Sequence, residues 1–193
     1  MKRLILSGEI GCGKTTLIRT ALGSLASVAG GFVTFRILEN EQLLGFDLAP
    51  ASSLVCPESL QTARRFLDFS GTAQRNDAVF AETGAALLKK ALSAPFAVAD
   101  EFGGLELLVP AFRTALFALL QSDTPCIGVM KTPAAAAALA ERIPLGCEYA
   151  AQYQALKRLL ETDPETCLLP VTPWPDSHAA ARIEQWVNTY VRR

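Results

Sequence analysis

The sequence is poor in the residues that build metal and disulfide sites. Its 193 residues include one histidine and five cysteines, and no two cysteines have the C-x-x-C spacing. Zinc sites and disulfide frameworks need such residues in closely spaced groups, so both are disfavoured. We therefore interpret the cysteines as reduced thiols, mostly small core residues. They are Cys12, Cys56, Cys126, Cys147 and Cys167.

Two other features are absent: a basic excess and a long apolar run. Lys and Arg number 18 against 19 Asp and Glu, a net charge of −1, which disfavours a broad nucleic-acid surface. No apolar run approaches the roughly 20 residues of a membrane-spanning helix. Only three apolar residues separate Met1-Lys2-Arg3 from Ser7, too few for a secretory signal. We expect a cytoplasmic protein without a membrane segment. No motif in the sequence identifies a protein partner.

The most informative segment runs from Leu4 to Leu17 and reads LILSGEIGCGKTTL. It contains G-x-x-x-x-G-K-[ST], the phosphate-binding loop, between an apolar strand and an amphipathic helix. Glycines let backbone N–H groups face phosphate oxygens, and the helix N-terminus adds its positive dipole end. A glycine-rich turn without function is the disfavoured alternative. A nucleoside triphosphate is the predicted ligand, and the predicted binding residues are Gly8, Glu9, Ile10, Gly11, Cys12, Gly13, Lys14, Thr15 and Thr16.

Three side chains of this loop have specific predicted roles. Lys14 reaches the β- and γ-phosphates and is a predicted catalytic residue. The Thr15 hydroxyl binds the Mg²⁺ ion that bridges those phosphates, so Mg²⁺ is the predicted cofactor. Thr16 donates a hydrogen bond to the α-phosphate.

A second candidate site follows the apolar run Phe96–Ala99, which ends in Asp100-Glu101. Enzymes with a phosphate loop place an aspartate at the end of a buried strand to hold Mg²⁺, and many hydrolytic ones follow it with a glutamate that orients water. Alone the pattern is weak, because two acids also suit a strand-end turn or a helix cap. Downstream of a phosphate loop it gains weight. We predict that Asp100 binds the metal with Thr15 and that Glu101 is the catalytic base.

Strands alternate with helices throughout the chain. This order predicts an α/β three-layer P-loop fold with a mainly parallel sheet, formed by residues 1–193 as a single domain. Phe32–Leu38 and Leu43–Leu48 are too close for a parallel crossover, so they predict an antiparallel hairpin at the sheet edge. Two later strands are predicted at Cys126–Met130 and Cys167–Val171.

The helices are predicted from apolar spacing and end signals. Gly71–Asp77 is polar and predicted to be irregular, and Asp176 or Ser177 is predicted to cap a terminal helix. The other predicted helices are Lys14–Ala29, Glu58–Ser70, Val79–Leu92, about Glu106–Leu119, Pro133–Arg142 and Gly146–Glu161.

Four segments together resemble one family. They are Gly8–Thr16, Gly30-Gly31-Phe32-x-Thr34, Gly45-Phe46-Asp47, and Asp100–Leu107, which is similar to Asp-Glu-Ile-Gly-x-Met-Glu-Leu. The set resembles the small P-loop nucleoside-triphosphatases of the thermophile type, whose animal member is the cancer-related nucleoside-triphosphatase. The resemblance covers the first two thirds of the chain. It implies a compact α/β nucleotide-binding fold, Mg²⁺ dependence and slow hydrolysis of several nucleoside triphosphates.

The chain departs from this family pattern twice. The hairpin has Phe35-Arg36-Ile37-Leu38 where the family has a more charged, arginine-containing pattern. After the last strand, Val171-Thr172 leads into Pro173-Trp174-Pro175-Asp176, and an arginine expected there is missing. Base recognition is therefore not carried over from the family. Trp174 either stacks on a nucleobase or, as we favour, packs under the terminal helix.

Three function classes remain open. The leading one is a Mg²⁺-dependent nucleoside-triphosphatase that converts ATP- or GTP-type substrates to diphosphate and phosphate. The second is a small-molecule or nucleotide kinase, for which Arg64, Arg65 and Arg75 lie in the one stretch suited to an arginine-bearing lid. The third is a nucleotide-dependent switch that binds a partner, weakened in its GTPase form because no Asn-Lys-x-Asp motif is present.

Overall fold

A computed structural model describes residues 1–140, 148–173 and 175–192. The strands in this part are β1 Arg3–Ser7, β2 Gly30–Glu39, β3 Gln42–Pro50, β4 Arg64–Asp68, β5 Gln74–Arg75, β6 Ala97–Phe102, β7 Cys126–Met130 and β8 Thr166–Pro170. The α-helices are α1 Lys14–Leu22, α2 Ala85–Ala91, α3 Pro110–Leu120, α4 Pro133–Ala140, α5 Glu148–Thr162 and α6 Ser177–Tyr190. None of the helices described is long and apolar enough to span a membrane.

The strands form one mixed sheet in the order β5-β4-β3-β2-β6-β7-β1-β8. From β2 to β8 the neighbours pair in parallel, whereas β2–β3, β3–β4 and β4–β5 pair antiparallel. The predicted α/β fold, mostly parallel with an antiparallel hairpin towards one edge, is thus confirmed. Asn40 and Glu41 close that hairpin with φ of 48° and 66°, as a two-residue turn between right-twisted strands requires.

The core lies on both faces of the sheet, because successive strand residues point to opposite sides. In β1, Ile5 belongs to one apolar cluster and its neighbours Leu4 and Leu6 to the other. Buried side chains of α2, α3 and α5 complete the first cluster, and those of α1 and α6 complete the second. The three-layer prediction is therefore confirmed, with the sheet as the middle layer.

The predicted helix Glu58–Ser70 is wrong. Pro57–Thr62 is a short 3₁₀-helix, after which the chain extends into β4 and pairs with β3. Short apolar runs do not distinguish strand from helix by periodicity, and β3 offers an open edge for pairing, which buries Phe66 and Leu67. In the segment predicted to be irregular, two residues form β5 and extend this edge.

Other element bounds differ in smaller ways. Helix α1 ends at Leu22 because Gly23 takes a φ of 51°, which breaks the helical path, and a 3₁₀-helix follows over Gly23–Val28. The helix predicted from Val79 begins as a π-helix, Val79–Gly84, before α2. The prediction that Asp176 caps α6 is confirmed, since its carboxylate accepts from the Ala179 N–H at 2.8 Å.

Parts of the sequence predictions fall on residues 141–147 and 174. The end of the predicted helix Pro133–Arg142, the start of the helix predicted from Gly146, Cys147 and Trp174 all lie outside the described residues. The four described cysteines form no disulfide.

Candidate functional site

The phosphate loop connects β1 to α1, and its glycines are required by the backbone. Gly13, directly before α1, has a φ of 94°, which side chains disfavour. A Cβ on Gly8 would lie 2.4 Å from the Val171 carbonyl oxygen, which no real side chain tolerates. β1 is buried up to Leu6, so the loop begins where the chain leaves the core. The sequence motif thus occupies the strand-to-helix position that phosphate binding requires.

The Lys14 ammonium lies within this loop. It donates to the Glu9 carbonyl at 2.6 Å and to the Gly8 carbonyl at 3.0 Å, and its Nζ is 3.4 Å from Cys12 Sγ. An ammonium group forms a weaker hydrogen bond with a neutral carbonyl oxygen than with an anionic oxygen. The positive charge of Lys14 lies among backbone carbonyls of the loop. Phosphate oxygens are therefore better acceptors for it than these carbonyls are.

Thr15 and Asp100 meet at the start of α1. The Thr15 hydroxyl donates to the Asp100 carboxylate, with its oxygen 3.0 and 3.1 Å from Oδ1 and Oδ2. Asp100 is buried, only 1% exposed. Burial, with a smaller effect of the Glu101 charge, raises its pKa to about 7, although the hydrogen bond from Thr15, the Lys131 charge and the hydrogen bond from the Thr34 backbone each lower it. A buried carboxylate of this kind favours a cation beside it.

A β-bulge makes the side chains of Asp100 and Glu101 point to different partners. In the pairing of β6 with β7, Ala99 lies opposite Gly128 and Phe102 opposite Met130, so β6 contains one extra residue. Glu101 takes a φ of 60°, which is unusual for a residue with a side chain. Bulges of this type redirect side chains next to functional sites. Asp100 accordingly contacts Thr15, whereas Glu101 points to a different partner.

That partner is Lys131, which directly follows β7. Its ammonium donates to the Glu101 carbonyl oxygen and lies 3.5 Å from Glu101 Oε2. The lysine side chain is 18% exposed and the glutamate 28%. No role for Lys131 was predicted from the sequence. Its position after a buried parallel strand was the available signal, because the carboxyl ends of parallel strands meet at one edge of the sheet.

Glu106 organises the glycine loop that follows Glu101. It is 3% exposed, and its Oε1 accepts from the N–H groups of Gly103 and Gly104, the latter at 2.7 Å. The Tyr149 hydroxyl donates to the Gly103 carbonyl at 2.8 Å. From the sequence, Glu106 was predicted only to lie near the start of a helix. An acid two residues after a Gly-Gly pair was the signal for a carboxylate that accepts from loop N–H groups.

A cavity of about 390 Å³ lies between the phosphate loop and the antiparallel strands. Lys14, Gly8 and Ile10 line it at the loop, and Glu101 and Lys131 line it at the ends of β6 and β7. The structure thus brings Lys14 and Glu101 to one cavity and Thr15 to Asp100. The remaining predicted residues lie along the same loop, where Cys12 is buried and Glu9, Gly11 and Thr16 are exposed.

Comparison with known proteins assigns the family. The model of a protein family described as NTPase matches residues 3–148, which is most of the chain. The chain belongs to the NTPase family. The resemblance seen in its sequence is thereby confirmed.

Relatives of this NTPase are consistent with that assignment. Nucleoside-triphosphatase THEP1 of Methanosarcina barkeri is 31% identical over 137 residues, which is 67% of this chain and 76% of the relative. The crystal structure of THEP1 from the hyperthermophile Aquifex aeolicus matches with a TM-score of 0.65 at 21% identity, covering 94% of this chain and 96% of that one. The solution structure of a human cancer-related nucleoside triphosphatase matches with a TM-score of 0.61 at 20% identity, covering 98% and 97%. The two solved structures share the fold.

In this NTPase the arginines considered for a kinase lid belong to the antiparallel strands. Arg65 pairs with Asp47 and Asp68, and Arg75 pairs with Asp77. Arg64 is exposed and donates to the Ala63 carbonyl. Two of the three guanidinium groups are thus held in ion pairs on the sheet, which does not support a mobile arginine lid.

Proposed function

We propose that this NTPase-family protein is a Mg²⁺-dependent nucleoside-triphosphatase that hydrolyses ATP- or GTP-type substrates to diphosphate and phosphate. The observation that carries the proposal is the contact of Thr15 with buried Asp100 beside the phosphate loop. It places a hydroxyl, a carboxylate and the Lys14 ammonium at one end of the sheet. The named activity of the relative from Methanosarcina barkeri supports the same reaction class.

The donor atoms present suit Mg²⁺. Thr15 and Asp100 offer a hydroxyl and a carboxylate oxygen, and Mg²⁺ in phosphate-transfer sites takes one or two protein ligands with phosphate and water completing its shell. Among the described residues no group of three or more His, Cys, Asp or Glu forms a metal site. The ion is therefore expected to bind together with the nucleotide. When bound, it neutralises charge on the phosphates and favours the ionised form of Asp100.

In hydrolysis of the phosphate anhydride, different residues of the chain then have different roles. Backbone N–H groups of residues 8–16 and the N-terminus of α1 hold the phosphates. Lys14 leaves its carbonyl partners for the β- and γ-phosphate oxygens and stabilises the charge that builds up on them. Glu101 orients the attacking water and accepts its proton. Lys131 donates to the carbonyl oxygen of Glu101, whose backbone is left-handed, and both residues line the cavity.

The proposal is tested by measuring phosphate release from ATP, GTP, CTP and UTP, each with Mg²⁺ and with EDTA, and with no acceptor present. We expect release from more than one triphosphate and its loss in EDTA. A Lys14→Ala protein prepared in parallel controls for contaminating phosphatases, because it should lose the activity. Release that is equal in Lys14→Ala, or that continues in EDTA, would contradict the proposal.

A further inference from the structure

The cavity beside the phosphate loop is larger than hydrolysis requires. Its volume is about 390 Å³, whereas one water molecule occupies roughly 30 Å³ in the liquid. Ligand pockets start at roughly 300 Å³. The attacking water therefore accounts for a small part of this space.

The triphosphate does not account for the rest. The cavity is lined by Gly8, Ile10 and Lys14 but not by Gly13, Thr15 or Thr16. Lys14 faces the β- and γ-phosphates in a phosphate loop, and the nucleoside is joined beyond the α-phosphate, on the side where Thr16 lies. The cavity is thus on the γ-phosphate side of the loop, and the nucleoside extends away from it.

The wall opposite the phosphate loop is aromatic and apolar. The Phe46 ring lies 6.1 Å from Phe66 and 6.3 Å from Phe69, both measured between centroids, and the second pair is edge-to-face. Leu43 and Met130 extend this wall. Leu43 and Phe46 are each partly exposed, and Phe46 and Phe69 also pack against the first apolar cluster. Open aromatic surface of this kind favours a flat apolar ligand, which stacks on or packs edge-on against the rings.

The charge at the cavity favours an anion. Arg36 lines the cavity and lies directly opposite Phe46 in the β2–β3 pairing, so both residues share one face of the sheet. Arg36 is exposed, and it pairs with no acidic side chain within the described part of the chain. Lys131 adds a second cation, partly offset by Glu101. The other acid of the lining, Glu106, is bound to the Gly103 and Gly104 N–H groups. A ligand whose anionic group reaches Arg36 while its body rests on Phe46 satisfies both features.

We propose that this compartment, lined by Arg36, Leu43, Phe46, Phe66 and Phe69, is a second ligand site for a small aromatic anion, bound next to the γ-phosphate. The site is occupied together with the nucleotide rather than in its place. The inference rests on the proposed function only for the position of the γ-phosphate; the aromatic wall and Arg36 belong to the cavity itself.

The test uses 1-anilinonaphthalene-8-sulfonate, an aromatic anion whose fluorescence rises in apolar surroundings. It is titrated into the full chain with and without a saturating non-hydrolysable ATP analogue and Mg²⁺. We expect one saturable site that persists when the analogue is bound. Leu43→Asp should weaken probe binding at least ~10-fold, because it sets an unpaired carboxylate against the apolar body and the sulfonate. Arg36→Gln should weaken it roughly two- to fivefold, as expected for an exposed ion pair.

Leu168→Asp is the matched control, since Leu168 is 39% exposed on the far edge strand β8 and does not line the cavity. It should bind the probe like the wild type. Arg36→Gln alters an exposed side chain, so it tests the site even if Leu43→Asp fails to fold. Unsaturable binding, equal binding in Arg36→Gln, or displacement of the probe by the ATP analogue would each overturn the second site. Phosphate release measured without the probe tests the proposed function separately.

Discussion

The Thr15 hydroxyl donates to the Asp100 carboxylate at 3.0 and 3.1 Å, although the two residues are 85 positions apart in the chain. The strands that lead to them are not neighbours, because β7 lies between β1 and β6. All three strands are parallel, so their carboxyl ends share one edge of the sheet. The site therefore spans three strands, and β7 contributes Lys131 to it.

Replacing Asp100 with Asn should weaken the Mg²⁺ dependence of nucleotide binding. The amide keeps the size and one acceptor oxygen for Thr15 but removes the negative charge that attracts the cation. Nucleotide affinity measured by titration with and without Mg²⁺ checks this. A difference between the two conditions as large as that of the wild type would show that Asp100 does not serve the metal.

Lys14→Ala should lose both nucleotide affinity and turnover. Lysine charge neutralises phosphate in the ground state and more strongly in the transition state. The fold should survive, because the partners of Lys14 are carbonyl oxygens of its own loop. Circular dichroism establishes folding and isothermal titration measures binding. Wild-type affinity in the folded variant would refute the phosphate-loop assignment.

Glu101→Gln should bind Mg²⁺-nucleotide at least as tightly as the wild type but hydrolyse it at least ~100-fold more slowly, the lower end for loss of a positioned acid–base group. The glutamine keeps the size of the side chain, and the bond from Lys131 to the residue 101 carbonyl is unaffected. Single-turnover phosphate release measures the effect. An unchanged rate would show that Glu101 does not activate the water, and it would favour the kinase or the switch over the hydrolase.

Glu106→Ala should destabilise the fold by about 2 kcal/mol or more, because it leaves two buried N–H groups, those of Gly103 and Gly104, without their acceptor. Glu106→Gln retains one acceptor oxygen and should lose less. Urea unfolding of both variants gives the comparison. If the two variants were equally stable, the carboxylate would not be what holds the loop.

Two adjacent ion pairs at the start of β1 provide a matched test of stability. Arg3 is 6% exposed and donates to Asp163 at 2.7 Å, whereas Lys2 pairs with Asp123, whose side chain is 99% exposed. Asp163→Ala leaves the buried Arg3 guanidinium with the Ser122 carbonyl but without its carboxylate, and should cost about 3 kcal/mol, the lower end for breaking a buried ion pair. Asp123→Ala should leave the free energy of unfolding nearly unchanged, because the pair is exposed to solvent. Similar losses in both variants would contradict this account.

The Arg3–Asp163 pair also predicts a pH dependence. The hydrogen bond from Arg3 holds the pKa of Asp163 well below its ordinary value, and bonds from Thr166 and the Glu165 backbone act in the same direction. A carboxyl with a depressed folded-state pKa binds fewer protons when folded. Its contribution is therefore complete above about pH 4, near the unfolded-state pKa, and is lost as pH falls towards the folded-state value. The stability difference between wild type and Asp163→Ala should shrink over that acidic range.

The sequence by itself determined the features that depend on local patterns. The phosphate loop is specified by glycines at fixed spacing, the strand before Asp100 by a short apolar run, and the hairpin by two β-rich segments too close for a crossover. Cys126–Met130 was predicted at the bounds that the structure shows. Each of these signals lies within a few residues along the chain, where backbone conformation and side-chain periodicity act directly.

Tertiary structure alone decided what depends on pairing between distant segments. Arg64–Asp68 became a strand because β3 had an open edge, although its apolar spacing also fits a helix. The bulge that directs Asp100 and Glu101 to different partners exists only in the register of β6 against β7. Lys131 lies beside Glu101 because β6 and β7 are neighbours in the sheet. The strand order, and the register between strands that are distant in the chain, are set by the packing of the whole sheet, so no pattern within a few residues encodes them.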